Sequence, residues 1–101
     1  MKAGKLSGSP LSAEYQFILY VAGQEGNSQI ARRNLKDICE EYLAGRYSIV
    51  ELDVLVDFDT ALRDGVFVSP TLVLVSPQPK ATIVGNLGSK DKVLVALRVK
   101  A

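Results

Sequence analysis

Cys39 is the single cysteine of this 101-residue chain, and the chain has no histidine. A thiol can serve as a redox centre, a nucleophile or a soft metal ligand, but each role needs a partner. Redox turnover needs a resolving thiol, a nucleophile needs a base or a field that lowers its pKa, and zinc needs several Cys or His ligands. With one cysteine and no histidine, an intramolecular disulfide, a Cys/His metal site and the usual Ser-His and Cys-His mechanisms are all out of reach. Cys39 also adjoins Glu40 and Glu41, late in a helical pattern. There the carboxylates raise a thiol's pKa and no helix N-terminus lowers it. It reads as an inert core thiol, in keeping with the burial usual for free cysteine.

The carboxylates Glu51, Asp53, Asp57, Asp59 and Asp64 are the other groups that invite chemistry. Two carboxylates divide into acid and base only where their environments push their pKa values apart, whereas these alternate with apolar residues as solvated strand and helix faces do. The turn Gly23-Gln24-Glu25-Gly26 has the glycines of a phosphate cradle, but no Gly-Lys-Ser/Thr ending follows and Glu25 would repel phosphate. No catalytic residue, cofactor or metal is expected, which favours a protein that binds other proteins. Twelve basic against eleven acidic residues leave a charge of +1, without the basic excess of a nucleic-acid binder. No apolar run approaches the roughly 20 residues that span a bilayer, and no signal-type apolar segment follows the first lysines. No membrane role is expected, and the expected location is the cytoplasm.

An alternation of strand and helix patterns positions these residues. Tyr15 to Val21 is aromatic and β-branched and ends at Ala22-Gly23, the pattern of a central strand. Asn27 or Ser28 can cap a helix in which Ile30, Leu35, Ile38, Cys39 and Tyr42 form one stripe; Arg33 with Asp37 and Lys36 with Glu40 are i,i+4 pairs on the other side, and Gly45 supplies the stop. Tyr47 to Val56 predicts a second strand, parallel to the first because a helical connection of about twenty residues separates them. A short helix over Asp57 to Asp64 follows, then strands over Pro70 to Ser76 and Ala81 to Gly85. The short link Ser76-Pro77-Gln78-Pro79-Lys80 makes these two an antiparallel hairpin, and Ser89 caps a last helix. Residues 1–12, rich in Gly, Ser and Lys with Pro10, predict a flexible arm before a single α/β domain over 13–101. The order βαβαββα is thioredoxin-like, although periodicity alone licenses other α/β arrangements.

Ser69-Pro70-Thr71-Leu72 is an X-Pro step entering an apolar strand, and Gln24-Glu25-Gly26-Asn27-Ser28 stands where a thioredoxin-like redox enzyme carries Cys-x-x-Cys. X-Pro bonds have a small trans preference and interconvert slowly, so Pro70, Pro77 and Pro79 are candidate cis-proline or switch positions. Equally, a proline can simply open a strand or shape a hairpin. Taken in order, Leu19-Tyr20-Val21-Ala22-Gly23, Asn27-Ser28, Asn34-Leu35, Ile38-Cys39-Glu40-Glu41-Tyr42-Leu43, Gly45-Arg46-Tyr47, Asp53-Val54, Ser69-Pro70-Thr71-Leu72, Pro77-x-Pro79, Gly85-x-Leu87 and Lys92-Val93-Leu94 form a set. That set, from about Tyr15 to Val99, resembles the KaiB family of cyanobacterial circadian-clock proteins and their bacterial relatives.

The resemblance implies a non-enzymatic adaptor that binds the KaiC-type ATPase ring and captures a KaiA-like partner. It also implies two folds, a thioredoxin-like monomer and a tetrameric ground state with a rearranged C-terminal half, and hence a homo-oligomer, dimer or tetramer, in one of them. Lys36, Arg46, Arg63 and Lys80 are candidate partner contacts, being basic and on or near elements the family uses. This chain departs from the family in having Ala81-Thr82 where a basic pair is usual, Asn86 in place of a carboxylate, and the apolar run Gly65-Val66-Phe67-Val68 before Pro70. A second reading is a thioredoxin-fold sensor module resembling the N-terminal domain of the clock-associated histidine kinase SasA, with a different partner.

Overall fold

The strand at Tyr15–Val21 becomes the axis of the molecule because it is apolar on both faces and can be covered from two sides. The computed structural model describes residues 5–8, as backbone, and residues 13–99. Its elements are β1 (Lys5–Gly8), β2 (Tyr15–Val21), α1 (Gly26–Tyr42), β3 (Tyr47–Asp53), α2 (Phe58–Arg63), β4 (Thr71–Ser76), β5 (Ala81–Val84) and α3 (Lys90–Leu97). They form one sheet in the order β1-β3-β2-β4-β5. β2 and β3 run parallel from Tyr15↔Tyr47 to Val21↔Asp53, while β4 lies antiparallel to β2 and to β5. From β2 onwards this is the expected thioredoxin-like βαβαββα order, and the rearranged ground-state fold is not the one adopted.

Alternation along each strand sorts the side chains into two cores. Phe17, Leu19 and Val21 of β2, Tyr47 and Ile49 of β3, and Leu72 and Leu74 of β4 face α1 and α3, which contribute Ala31, Leu35, Ile38, Cys39, Val93, Leu94 and Leu97. On the opposite face Tyr20, Leu52 and Val73 pack with Ala61 and Val66 of the α2 region.

Several boundaries differ from the sequence reading, each for a local reason. The arm expected over residues 1–12 contributes Lys5–Gly8 as a fifth strand, antiparallel to β3; the remainder of that arm lies outside the described residues. Helix α1 is capped by Glu25, whose Oε1 accepts the Ser28 N–H at 3.0 Å. Ser28 is turned inward instead, fully buried, where its hydroxyl accepts the Ala22 N–H at 3.1 Å. β3 stops at Asp53 rather than Val56, because the Asp53 carboxylate accepts N–H groups from Gly23 at 3.2 Å and Leu55 at 2.8 Å and turns the chain. The pairs Arg33–Asp37 and Lys36–Glu40 are not among the ion pairs formed; Glu40 accepts the Tyr47 hydroxyl instead. Ser89 caps α3 as expected, accepting the Lys92 N–H at 3.5 Å.

The peptide bonds preceding Pro70, Pro77 and Pro79 are all cis. Arg98, just past α3 and left-handed at φ 58°, donates to the carbonyls of Pro77 at 3.2 Å and Pro79 at 2.9 Å, tying the last helix to the proline-rich link. In the loop after β5, Leu87 is buried with φ 63°, a conformation rare for leucine. Asn34 of α1 holds that loop by donating to the Asn86 carbonyl at 2.9 Å.

Candidate protein-interaction surface

Of the groups that could have carried chemistry, Cys39, Glu51, Asp53 and Asp64 are engaged in holding the fold, whereas Asp57 makes no side-chain cap bond to α2. Cys39 is fully buried, and burial, reinforced by the Glu40 charge, pushes its thiol up to about 12. Glu51 is paired with Arg32 at 2.8 Å, and Asp53 is consumed by two backbone N–H groups. Among the described residues no group of His, Cys, Asp or Glu is placed to hold a metal ion.

What the molecule does present is unburied apolar surface around α2. This helix has only six residues, and it follows a turn rather than a strand, so one side of it meets the sheet through Ala61 while the remainder faces outward. Leu55, Val56, Phe58, Leu62, Phe67 and Val68 are exposed, with Phe67 80% and Leu55 76% accessible. A groove of about 270 Å³ runs among Val54, Phe58, Leu62, Val66, Phe67 and Ser69, ending beside Pro70. Soluble monomers rarely show such a cluster unless another molecule covers it.

A charged network fixes one rim of this region. The hydroxyl of Tyr20, from the sheet centre, donates to Asp64 Oδ2 at 2.5 Å, and Lys80 Nζ donates to Oδ1 at 2.9 Å. Burial of Asp64 opposes its ionisation, but the hydrogen bonds from Tyr20 and Lys80 and the charges of Lys80 and Arg63 outweigh it and hold the carboxyl below its ordinary range. Burial first, and the Asp64 hydrogen bond second, drive the Tyr20 hydroxyl well above its usual pKa.

The four basic residues singled out from sequence do not form one patch. Arg63, at the end of α2, and Lys80, bonded to Asp64 at 2.9 Å, both bring their charge to Asp64, and neither lines the apolar groove. Lys36 lies on α1, on the opposite side of the sheet, beside a more polar groove of about 570 Å³ that also includes Gln24, Arg32 and Glu51. Arg46, in the turn before β3, is paired with Glu14 at 3.2 Å and stands over the Tyr15 ring. The apolar groove was missed in the sequence because Leu55, Val56 and Phe58 read as the end of a strand and the start of a helix. The apolar run Gly65 to Val68 before Pro70 was the available signal.

A family model described as the KaiB domain matches residues 18–99. The chain belongs to the KaiB family. It is 39% identical to the circadian clock oscillator protein KaiB of Trichodesmium erythraeum, over 88% of this chain and 86% of that protein. It is 41% identical to the protein of the same name from Microcystis aeruginosa, over 82% of this chain and 80% of that one. The KaiB fold seen here is similar to the N-terminal domain of SasA from Synechococcus elongatus, with TM-score 0.71 and 18% identity over 94% of this chain and 93% of that domain. It is also similar to chloroplastic thioredoxin z, with TM-score 0.70 and 20% identity over 86% and 79%. This chain of the KaiB family therefore has the thioredoxin-like fold without the paired thiols of a redox enzyme. No helix among its described residues is long and apolar enough to cross a membrane.

Proposed function

We propose that this KaiB-family chain is a non-enzymatic adaptor of the cytoplasm that binds a KaiC-type ATPase ring, in a circadian clock or a signalling system descended from one. The observation that carries the reading is the exposed apolar groove of α2 and the segment before Pro70, in a chain whose one thiol is buried. Docking there removes Phe58, Leu62 and Phe67 from water, at about 25 cal/mol per Å² of apolar surface covered. Arg63 and Lys80, gathered at Asp64 beyond the end of α2, contribute orientation and encounter rate more than affinity. Lys36, and Arg46 with its partner Glu14, lie on other parts of the surface, where a second partner of the KaiA or histidine-kinase type docks. Pro70, Pro77 and Pro79 lie within a short span of the half of the chain that rearranges in the family's oligomeric form, and a dimer or tetramer belongs to that form.

The test is binding of the purified protein to a KaiC-type ring from the same organism, with ATP, followed over hours. Saturable binding by the native chain, lost in Phe58→Ser/Phe67→Ser and slowed in Arg63→Glu/Lys80→Glu, is the expected result. Absence of binding at any time overturns the reading. The similarity to the SasA N-terminal domain over nearly the whole chain favours a second reading, a permanently thioredoxin-like interaction module with another partner; it predicts that the same apolar variants lose that partner and that the chain never forms the oligomer.

A further inference from the structure

The link between β4 and β5, Ser76-Pro77-Gln78-Pro79-Lys80, is gripped from both faces of the sheet. Proline has no N–H to give, and among the described residues no backbone-to-backbone hydrogen bond is formed within the link. Side chains hold it instead. Gln78 Nε2 donates to the Val75 carbonyl at 3.1 Å. From the end of α3, a single guanidinium nitrogen of Arg98 donates to the carbonyls of both Pro77 and Pro79. From the opposite face, Asp64 receives Lys80 Nζ together with the Tyr20 hydroxyl.

Arg98 stands where helices commonly end on glycine. It is left-handed at φ 58°, with its own N–H on the Val95 carbonyl at 3.1 Å and the Val99 N–H on the Leu94 carbonyl at 3.0 Å, a conformation that disfavours a side chain. What the position gains by not being glycine is the guanidinium on the link. The Pro79 carbonyl belongs to the same planar peptide unit as the N and Cα atoms of Lys80, so the Arg98 bond at 2.9 Å fixes the unit from which the Lys80 side chain departs. Lys80 in turn reaches Asp64, whose N–H closes α2 on the Thr60 and Ala61 carbonyls. Asp64 lies in the chain between Leu62 and Val66, both of which line the apolar groove. We infer that the 76–80 link is a two-sided clasp in which Arg98 is a positioning residue, acting through Lys80 and Asp64 to hold the end of α2 and the groove wall beside it from the far side of the sheet. Its consequence for docking rests on the α2 groove being the partner surface, whereas the clasp itself is formed without a partner.

Native-state hydrogen exchange of the full chain, with no partner present, reads the clasp directly. Arg98→Gly keeps the left-handed helix end and removes the guanidinium, and Lys80→Met removes the charge but keeps the stem. Each should speed exchange of the Asp64, Gly65 and Val66 amides, which close the end of α2, by about fivefold, the factor that accompanies loss of one net hydrogen bond. The double variant should add little to either, because the two side chains act as one unit. Amides of α1 and β2 should be unchanged, whereas a general loss of stability raises all of them together. Arg98→Lys, which keeps a donor on a flexible stem, should restore part of the protection. Unchanged exchange at Asp64 to Val66 in Arg98→Gly overturns the inference, as do effects that multiply in the double variant or a rise of equal size throughout the chain. Ring binding is measured apart from this, so a clasp that holds in a chain that does not bind the ring overturns the docking reading alone.

Discussion

On one face of the sheet, α1 and α3 close over Phe17, Leu19, Leu72 and Leu74 and leave none of them accessible beyond 1%. On the other face, α2 covers Tyr20, Leu52 and Val73 with little more than Ala61 and Val66, and its own Phe58 and Leu62 remain in water. Along β2 the closed face carries Tyr15, Phe17, Leu19 and Val21 and the other face Gln16, Ile18 and Tyr20, so the second face is less apolar and is covered by a shorter helix. A 17-residue helix such as α1 is about 25 Å long and can span the sheet, whereas six residues make about 9 Å and cannot. The long helix makes a stability core; the short one leaves surface for a partner. The Tyr20–Asp64–Lys80 network compensates by anchoring the sparsely covered face with hydrogen bonds where apolar packing is thin.

The contrast is broken most directly by truncating one side chain on each face. Leu72→Ala, in the closed core, should cost about 3 kcal/mol in urea unfolding, and Leu35→Ala a similar amount. Phe67→Ala should stay within about 0.5 kcal/mol, as expected of an exposed side chain; comparable losses from the three would show that the second face is packed as tightly as the first.

Removal of the anchor sharpens the comparison further. Tyr20→Phe should cost about 1–3 kcal/mol, because it deletes a hydrogen bond to a carboxylate at a buried position. The same variant should change the acid limb of stability. A native Asp64 pKa below the ordinary 3.8 means that the folded state binds fewer protons there than the unfolded one. Its contribution is therefore complete above 3.8 and is lost as pH falls below that value through the native pKa. Tyr20→Phe should shrink this loss, and an unchanged acid profile by chemical denaturation at several pH values would show that the Tyr20 bond does not set the Asp64 pKa.

Smaller effects belong to the closed face. Ser89→Ala should cost about 0.5–1 kcal/mol by loss of the α3 cap, a figure at the low end because the bond is 3.5 Å long. Cys39 should show almost no reaction with a disulfide reagent at pH 8 until urea unfolds the chain, since a thiol pushed up to about 12 and buried between α1 and the sheet offers neither thiolate nor access. Rapid labelling of the native protein would mean that the closed face opens readily.

Much of the fold was legible because its signals are local. The alternation and β-branching of Tyr15 to Val21, the helical stripe through Leu35, Ile38 and Cys39, and the Ser89 cap all found their counterparts. Local signals failed where a distant group competed for the same atom. Ser28 was free to cap α1 in sequence terms, but the Ala22 N–H took its hydroxyl and Glu25 replaced it. Asp53 looked like a solvated strand residue until Gly23, thirty positions earlier, drew its carboxylate into a turn. Lys80 and Arg63 read as separate surface charges, and the fold brought both to Asp64. Lys5–Gly8 carries too weak a strand pattern to be read alone, and a strand exists there because β3 offers an edge to pair with.

By itself the sequence determined the order of strand and helix patterns, the lack of histidine and of a second thiol, and the ordered motif set by which the chain resembles its family, because residue identity and short-range periodicity are properties of the chain alone. Only the tertiary structure decided which apolar residues are core and which are surface. Burial is set by the reach of the covering element, so Leu52 and Leu55, three positions apart, end on opposite sides of the distinction between packing and binding.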